Sequence, residues 1–242
     1  MRQSKICKGC WQQMHVPVPL HGLASVPFRV FGIRPSRMNP NTCTICELMF
    51  KTVMRARKIT IDATVLFADL RGYTSLSQSQ SPEAVSGVLD AFYDECAGAI
   101  WECDGLLNKT IGDAVMAIFN FPIGRDDHTR QALHAARTIQ ARWSARQEAL
   151  GETLGLAGGE LGIGVGIHCG ELSFGEFGRS HRDLTAIGTV VNTASRARSA
   201  AAGGEILLTQ AVYDRVPSEL TGSPAQDYRL KGFDLPITLY AA

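Results

Sequence analysis

At 242 residues with 45% hydrophobic content, the chain can bury a substantial core and suits one domain of ordinary size plus something smaller. No apolar run approaches the ~20 residues that a membrane-spanning helix needs, and the N-terminus lacks a signal-peptide core, so the expectation is a soluble, cytoplasmic protein. The net charge of +1 conceals an asymmetry, because residues 1–58 carry ten Lys or Arg against one acid, which leaves the remainder strongly acidic. Opposite charges on linked segments predict that the basic part docks on the acidic part or on that of a second copy; nucleic acid or an acidic membrane surface is the alternative attractor.

The first 58 residues differ in kind from the rest. Five prolines (Pro17, Pro19, Pro27, Pro35 and Pro40) argue against long regular elements there. Cys7-x-x-Cys10 and Cys43-x-x-Cys46 make two thiol pairs separated by 32 residues, a four-thiolate set suited to tetrahedral Zn²⁺. The gap exceeds the usual ribbon spacing, which keeps an iron–sulfur cluster open, since Cys₄ ligation serves both, and four reduced structural cysteines are the bland reading. So small a segment lacks an adequate apolar core, and a metal would supply the missing folding energy. His15 and His21 have no paired spacing with another ligand, and Cys96, Cys103 and Cys169 read as core residues. The predicted division is a zinc-ribbon-like domain over 1–46, an amphipathic linker helix over 47–58 with Leu48, Phe50, Val53 and Met54 among bases, and a main domain over 59–242.

In the main domain, residues 60–69 read as a strand. Ser81-Pro82-Glu83 supplies an N-cap, a proline at the first helical position and an early acid, opening a helix over 82–102. Residues 106–111 and 114–119 form a predicted hairpin around Gly112-Asp113. A helix follows from Asp127 to about Leu150, with Ala132, Leu133, Ala136, Ile139 and Trp143 inward, then a Gly-rich loop over 152–160. Strands are predicted at 161–168, 184–187 and 205–208, a helix from Thr189 to about Ala201, a short helix capped by Thr209, and a closing hairpin over 228–240. The fold class is therefore α/β (α+β), a ferredoxin-like βαββαβ core with additional strands and helices plus a small metal-nucleated N-terminal domain.

Two carboxylates sit at the polar ends of apolar runs: Asp69 in Val65-Leu66-Phe67-Ala68-Asp69-Leu70-Arg71-Gly72-Tyr73-Thr74, and Asp113 in Lys109-Thr110-Ile111-Gly112-Asp113-Ala114-Val115-Met116-Ala117. Convergent carboxylates suit Mg²⁺, which typically takes one or two of them plus substrate phosphate oxygens. Gly72 lets backbone approach a polyphosphate, and Arg71, Tyr73 and Thr74 add donors. A third segment, Thr185-Ala186-Ile187-Gly188-Thr189-Val190-Val191-Asn192-Thr193-Ala194-Ser195-Arg196, completes a set that closely resembles the catalytic domain of class III adenylate and guanylate cyclases over about residues 60–242.

The resemblance implies that Asp69, Asp113 and the Leu70 carbonyl hold two Mg²⁺ or Mn²⁺ ions, that Lys109 and Thr185 read the purine, that Asn192 orients the ribose, and that Arg196 stabilises the α-phosphate. Leu230-Lys231-Gly232 resembles the segment whose Lys reaches the terminal phosphates. Lys with Thr at the base-reading positions goes with adenine in that family, so ATP is the expected substrate, with guanylate or another nucleotide cyclase, or an inactive nucleotide-sensing scaffold, as alternatives. A nucleic-acid- or redox-responsive role for the metal module is a further alternative. A single copy of each motif implies a homodimer with two shared sites. The chain departs from the family at Thr189, where many relatives have Asp.

Overall fold

The computed structural model describes residues 4–154, 161–178, 180 and 182–242, without the side chain of Thr153. The basic N-terminal segment contains three short or medium helices, α1 (Lys8–Met14), α2 (Val26–Val30) and α3 (Thr44–Ala56). Two isolated bridges, Ile6 to Pro19 and Pro35 to Cys43, tie its loops together. The expected linker helix thus starts three residues earlier and ends two residues sooner than 47–58, with Cys43 at its N-cap and Cys46 in its first turn, and at 13 residues it is the longest element described in this segment. The prolines fall outside it, which is why it can run uninterrupted.

The rest alternates β1 (Ile59–Leu70), α4 (Tyr73–Ser79), α5 (Pro82–Glu102), β2 (Leu106–Ile111), β3 (Ala114–Phe119), α6 (His128–Leu154), β4 (Ile163–Phe177), β5 (Asp183–Ile187), α7 (Thr189–Ala200), β6 (Ile206–Thr209), α8 (Gln210–Tyr213), β7 (Ala225–Tyr228) and β8 (Ile237–Ala241). The sheet order is β2-β3-β1-β4-β6-β8-β7, with β5 paired to β4 off that path. The first four strands, reached in the order β1-α5-β2-β3-α6-β4 and adjacent as β2-β3-β1-β4, form the expected ferredoxin-like core. Ser81 caps α5 as its sequence predicts, its side chain accepting from the Ala84 N–H.

Four expectations differ in detail. α4 was not foreseen, because Tyr73-Thr74-Ser75-Leu76-Ser77-Gln78-Ser79 has weak helix formers and a single apolar anchor, buried Leu76. α6 continues to Leu154 through residues expected to be loop, while 155–160 lie outside the described residues. β4 extends nine residues past His168 because its outer half pairs with both β1 and β5. Thr209 occupies the N-cap position of α8 without capping it; its hydroxyl bonds His168 Nδ1 at 2.6 Å instead.

β1 is buried on both faces from Ala63 onward and divides the core in two. Its even face (Leu66, Ala68, Leu70) joins α5 and α6 through Phe92, Ile100, Leu133 and Trp143. Its odd face (Ala63, Val65, Phe67) joins Met54 of α3 and Val190 and Ala194 of α7. Asp69 shares the odd face, so α7 is the helix laid across it. That helix lies close because Gly166 has no side chain: a Cβ there would come within 2.0 Å of the Arg198 nitrogen and 2.5 Å of the Ala194 carbonyl.

The basic segment docks on its own acidic partner. Lys8 Nζ pairs with Asp104 at 2.6 Å, and Arg125 reaches the same buried carboxylate at 3.0 Å. Asn41 donates to the Trp101 carbonyl (2.8 Å) and Asp104 (3.1 Å), Asn39 donates to the Gly105 carbonyl (2.9 Å), and Trp101 Nε1 donates to the Met38 carbonyl (2.9 Å). All these bonds converge on the α5–β2 connection. Phe50 of α3 packs on Phe121 and Phe174, burying the inner face of that helix.

Candidate active site and metal cluster

β1 and β3 run antiparallel with Asp69 opposite Ala114, which brings the β2–β3 turn to the end of β1. The Leu70 N–H donates to the Asp113 carbonyl at 2.9 Å and locks the two strand ends together. The turn itself is held by Tyr93 of α5, whose hydroxyl donates to the Gly112 carbonyl. Gly112 takes φ 59°, a left-handed conformation that favours glycine. The two predicted metal carboxylates are therefore neighbours, close enough that the Asp113 charge raises the pKa of Asp69.

Asp69 is 5% exposed and bound by two guanidinium groups. Arg71 Nη1 lies 2.8 Å from its Oδ2, and Arg198 Nη1 donates to its Oδ1. Burial pushes the Asp69 carboxyl above its usual range and Asp113 adds to the effect, while Arg198 and Arg71 pull it down. A buried carboxylate compensated by cations, next to a second carboxylate, is a donor set of hard oxygens that fits Mg²⁺ or Mn²⁺.

Beyond Leu70, Gly72 (φ 79°) is the N-cap residue of α4 and turns the chain into that helix. Tyr73 packs its ring on the core, whereas Thr74 is exposed beside it. Arg71 reaches Asp69 only because β4 presents Gly164 there: a Cβ at 164 would meet Arg71 Nη2 at 2.6 Å and Nε at 2.7 Å.

Lys109 and Thr185, the residues expected to read the base, lie on neighbouring strands, β2 and β5, each bonded to a residue near the other. Asn108 donates to the Leu184 carbonyl at 3.1 Å and accepts a long bond (3.4 Å) from Thr185 Oγ1, and the adjacent Lys109 Nζ pairs with Asp183 at 2.5 Å. Asn192 is exposed and Arg196 half-buried on α7; among the described residues it is Arg71 and Arg198 that pair with Asp69. Lys231 is exposed in the β7–β8 connection, next to Leu230, which is buried in one cluster with Ala197 of α7 and Ala201 just after it. Sequence reasoning missed Arg198 and Asp183. The signal for Arg198 was weak: it lies two residues beyond Arg196, on a helix whose register against β1 only the fold supplies.

The four cysteines form a second, separate cluster. Their sulfur atoms all lie within 4.8 Å of one another, with Cys10 to Cys46 at 3.3 Å and both Cys7 to Cys46 and Cys10 to Cys43 at 3.6 Å. A tetrahedron of thiolates around Zn²⁺ places its sulfurs roughly 3.8 Å apart, given Zn–S near 2.3 Å. Backbone N–H groups of Cys10 (3.4 Å) and Cys43 (3.2 Å) already donate to the Cys7 sulfur, the outer-shell support a thiolate needs. Burial pushes the Cys10 thiol up to about 12, while hydrogen bonding from Cys7 holds Cys43 down to about 5, so the cluster stabilises negative charge at one sulfur. The donor set fits a tetrahedral, thiophilic metal. Cys96, Cys103 and Cys169 are buried elsewhere, as expected of core residues.

A family model described as the adenylate and guanylate cyclase catalytic domain matches residues 56–241. Over 184 residues the chain is 34% identical to an adenylate cyclase of Anabaena cylindrica, covering 73% of this chain and 36% of that protein. It is 28% identical over 182 residues to adenylate cyclase 1 of Rhizobium meliloti (strain 1021), covering 74% and 27% respectively. The chain thus spans about a third of the length of these curated relatives. Among solved structures, the guanylyl cyclase Cya2 superposes with a TM-score of 0.69 at 25% identity, covering 76% of this chain and 92% of that one. The adenylyl cyclase CyaB from P. aeruginosa gives 0.68 at 29%, covering 76% and 95%.

Proposed function

From the premise that the chain belongs to the adenylate and guanylate cyclase catalytic-domain family, we propose that it is an adenylate cyclase, converting ATP to 3′,5′-cyclic AMP and pyrophosphate at two sites shared within a homodimer. What supports the base assignment is that the strands carrying Lys109 and Thr185 lie side by side, β2 and β5 being linked by the Lys109–Asp183 ion pair and the long Thr185–Asn108 bond. An ammonium only donates, and a hydroxyl can accept, which complements the N1 acceptor and N6 amino group of adenine. Guanine presents an N1–H at that edge, opposing donor to donor.

Cyclisation requires the ribose 3′ oxygen to attack the α-phosphorus in line, so the protein's part is positioning and charge stabilisation. Asp69, Asp113 and the Leu70 carbonyl would hold the two divalent cations, which when bound lower the pKa of the attacking hydroxyl and neutralise the leaving pyrophosphate. Asn192 orients the ribose. Arg196, one helical turn further along α7, offers a planar fork to the equatorial phosphate oxygens. Gly72, Tyr73 and Thr74 border the polyphosphate, and Lys231 meets its terminal end. A second copy completes each site, a reading supported by the two-fold symmetry that a single set of motifs requires. The four-cysteine module binds structural Zn²⁺ and regulates or stabilises the enzyme.

One observation favours a second reading. Asp183 pairs with Lys109 and adds an acceptor at the base-reading edge, which would suit the N1–H of GTP. Incubating the protein separately with ATP, GTP, CTP and UTP in Mg²⁺ or Mn²⁺, with products identified by mass spectrometry, decides between them. Cyclic AMP from ATP, abolished in Asp113→Ala, is the expected result; cyclic GMP alone would move the assignment to guanylate cyclase, and no cyclic product would leave an inactive scaffold.

A further inference from the structure

Arg71 and Arg198 converge on Asp69 from different elements, one from the turn after β1 and one from α7, and Arg71 also donates to the Arg198 carbonyl. The Nε atoms of both arginines are buried and have no hydrogen-bond partner among the described residues. Each guanidinium therefore carries a donor that the present contacts do not use, in a water-poor site where an unmet donor is costly. Gly164 clears the space over which Arg71 lies, and Gly166 brings the α7 backbone, hence Arg198, down onto the sheet. Two arginines against the carboxylates of Asp69 and Asp113 give a locally neutral cluster. A pair of divalent cations arriving with a fully ionised triphosphate adds equal and opposite charge. Neutrality is then kept only if the arginines stay in the site and change partner.

We propose that Arg71 and Arg198 stand in for the divalent cations at Asp69 in the metal-free protein, and that on loading they leave the carboxylate to hold oxygens of the nucleotide's phosphate chain. The planar guanidinium suits both partners, since carboxylate and phosphate accept the same paired donors. The exchange makes metal and triphosphate binding mutually dependent, because a cation alone must displace two guanidinium groups from their carboxylate with no anion to receive them. The inference rests on the reading of Asp69 as a metal ligand.

The test is titration of the zinc-loaded protein with Mn²⁺ in the absence of nucleotide, following the free-ion electron paramagnetic resonance signal, for wild type, Arg198→Gln, Arg71→Gln and each combined with Asp69→Asn. Removing a competing cation should tighten Mn²⁺ binding about tenfold in either arginine variant, equivalent to roughly 1.4 kcal/mol, and Asp69→Asn should cancel the gain. In a second arm, magnesium pyrophosphate should bind about tenfold more weakly to both arginine variants. Folding is checked by circular dichroism, and two variants on separate elements guard against a local packing defect in one. Unchanged or weaker Mn²⁺ affinity in both arginine variants, with Asp69-dependent binding in wild type, overturns the exchange and leaves the metal reading standing. Absence of any Asp69-dependent Mn²⁺ binding, in wild type and arginine variants alike, overturns both.

Discussion

Asp104→Ala should undock the basic module from the domain it rests on. Asp104 is 3% exposed and takes Lys8 at 2.6 Å and Arg125 at 3.0 Å, with Asn41 as a third donor at 3.1 Å. Breaking a fully buried ion pair by deleting one partner costs about 3–5 kcal/mol. Here Lys8 and Arg125 keep 34% and 35% of their side-chain surface exposed and can rehydrate, and Asn41 retains the Trp101 carbonyl. The expected loss is therefore nearer about 2–3 kcal/mol, and at about 2–4 °C per kcal/mol for a chain of this size the melting temperature should fall by roughly 4–12 °C. Differential scanning calorimetry measures the shift, and limited trypsin digestion reports whether the segment containing Arg29, Arg34 and Arg37 has been released. Asp104→Asn, which keeps the shape and an acceptor oxygen, should lose less. A melting shift under about 1 °C together with unchanged digestion would refute the claim that this carboxylate is the anchor.

Other outcomes follow from the same structure. Asp69→Ala and Arg196→Ala should each abolish cyclase activity, yet an equimolar mixture should regain about a quarter of it, because half of randomly formed dimers hold one intact site; no recovery despite demonstrated heterodimers would refute the shared site. Metal analysis should find about one zinc per chain, lost on substituting Cys7 and Cys43 by Ser, with a lower melting temperature for the module. Burial lowers the pKa of His168 to about 4; a histidine held neutral by the fold binds fewer protons than the unfolded chain, so its contribution to stability is present above pH 6.5 and lost as the pH falls toward 4. Chemical denaturation at pH 7 and pH 4.5 should show that loss, and His168→Gln should reduce it. Gly166→Ala should displace α7 and remove activity, checked by turnover alongside circular dichroism.

The main elements were legible because their signals are local. The α5 start is written in Ser81-Pro82-Glu83, and the β2–β3 hairpin in two apolar runs around Gly112-Asp113. The cysteine pairs gave a cluster whose four sulfurs do meet, since paired x-x spacing at both ends of a short segment leaves few other arrangements. What the sequence could not show is what depends on register between distant segments. Arg198 meets Asp69 only because α7 crosses the odd face of β1, and Lys109 finds Asp183 only because β5 folds back on β4 beside β2. α4 escaped because its stability comes from burying Leu76 rather than from its own composition.

The helix that joins the two modules has a mechanical consequence. α3 starts beside Cys43 and ends two residues before β1, the strand that carries Asp69, so the thiol cluster and that carboxylate sit on consecutive elements of the chain. That linkage cannot work as a piston. β1 is clamped in register against β4 from Ile59 to Leu70 and against β3 from Thr64 to Asp69, and a slip of one residue would turn its buried faces inside out. The register thus opposes any sliding of Asp69 along its neighbouring strands. Meanwhile α3 shows solvent a stripe of Ile45, Leu48, Met49 and Val53. In the homodimer proposed above, any influence of the cysteine cluster on turnover that passes through α3 would consequently be steering rather than pushing, setting how one main domain is presented to the other.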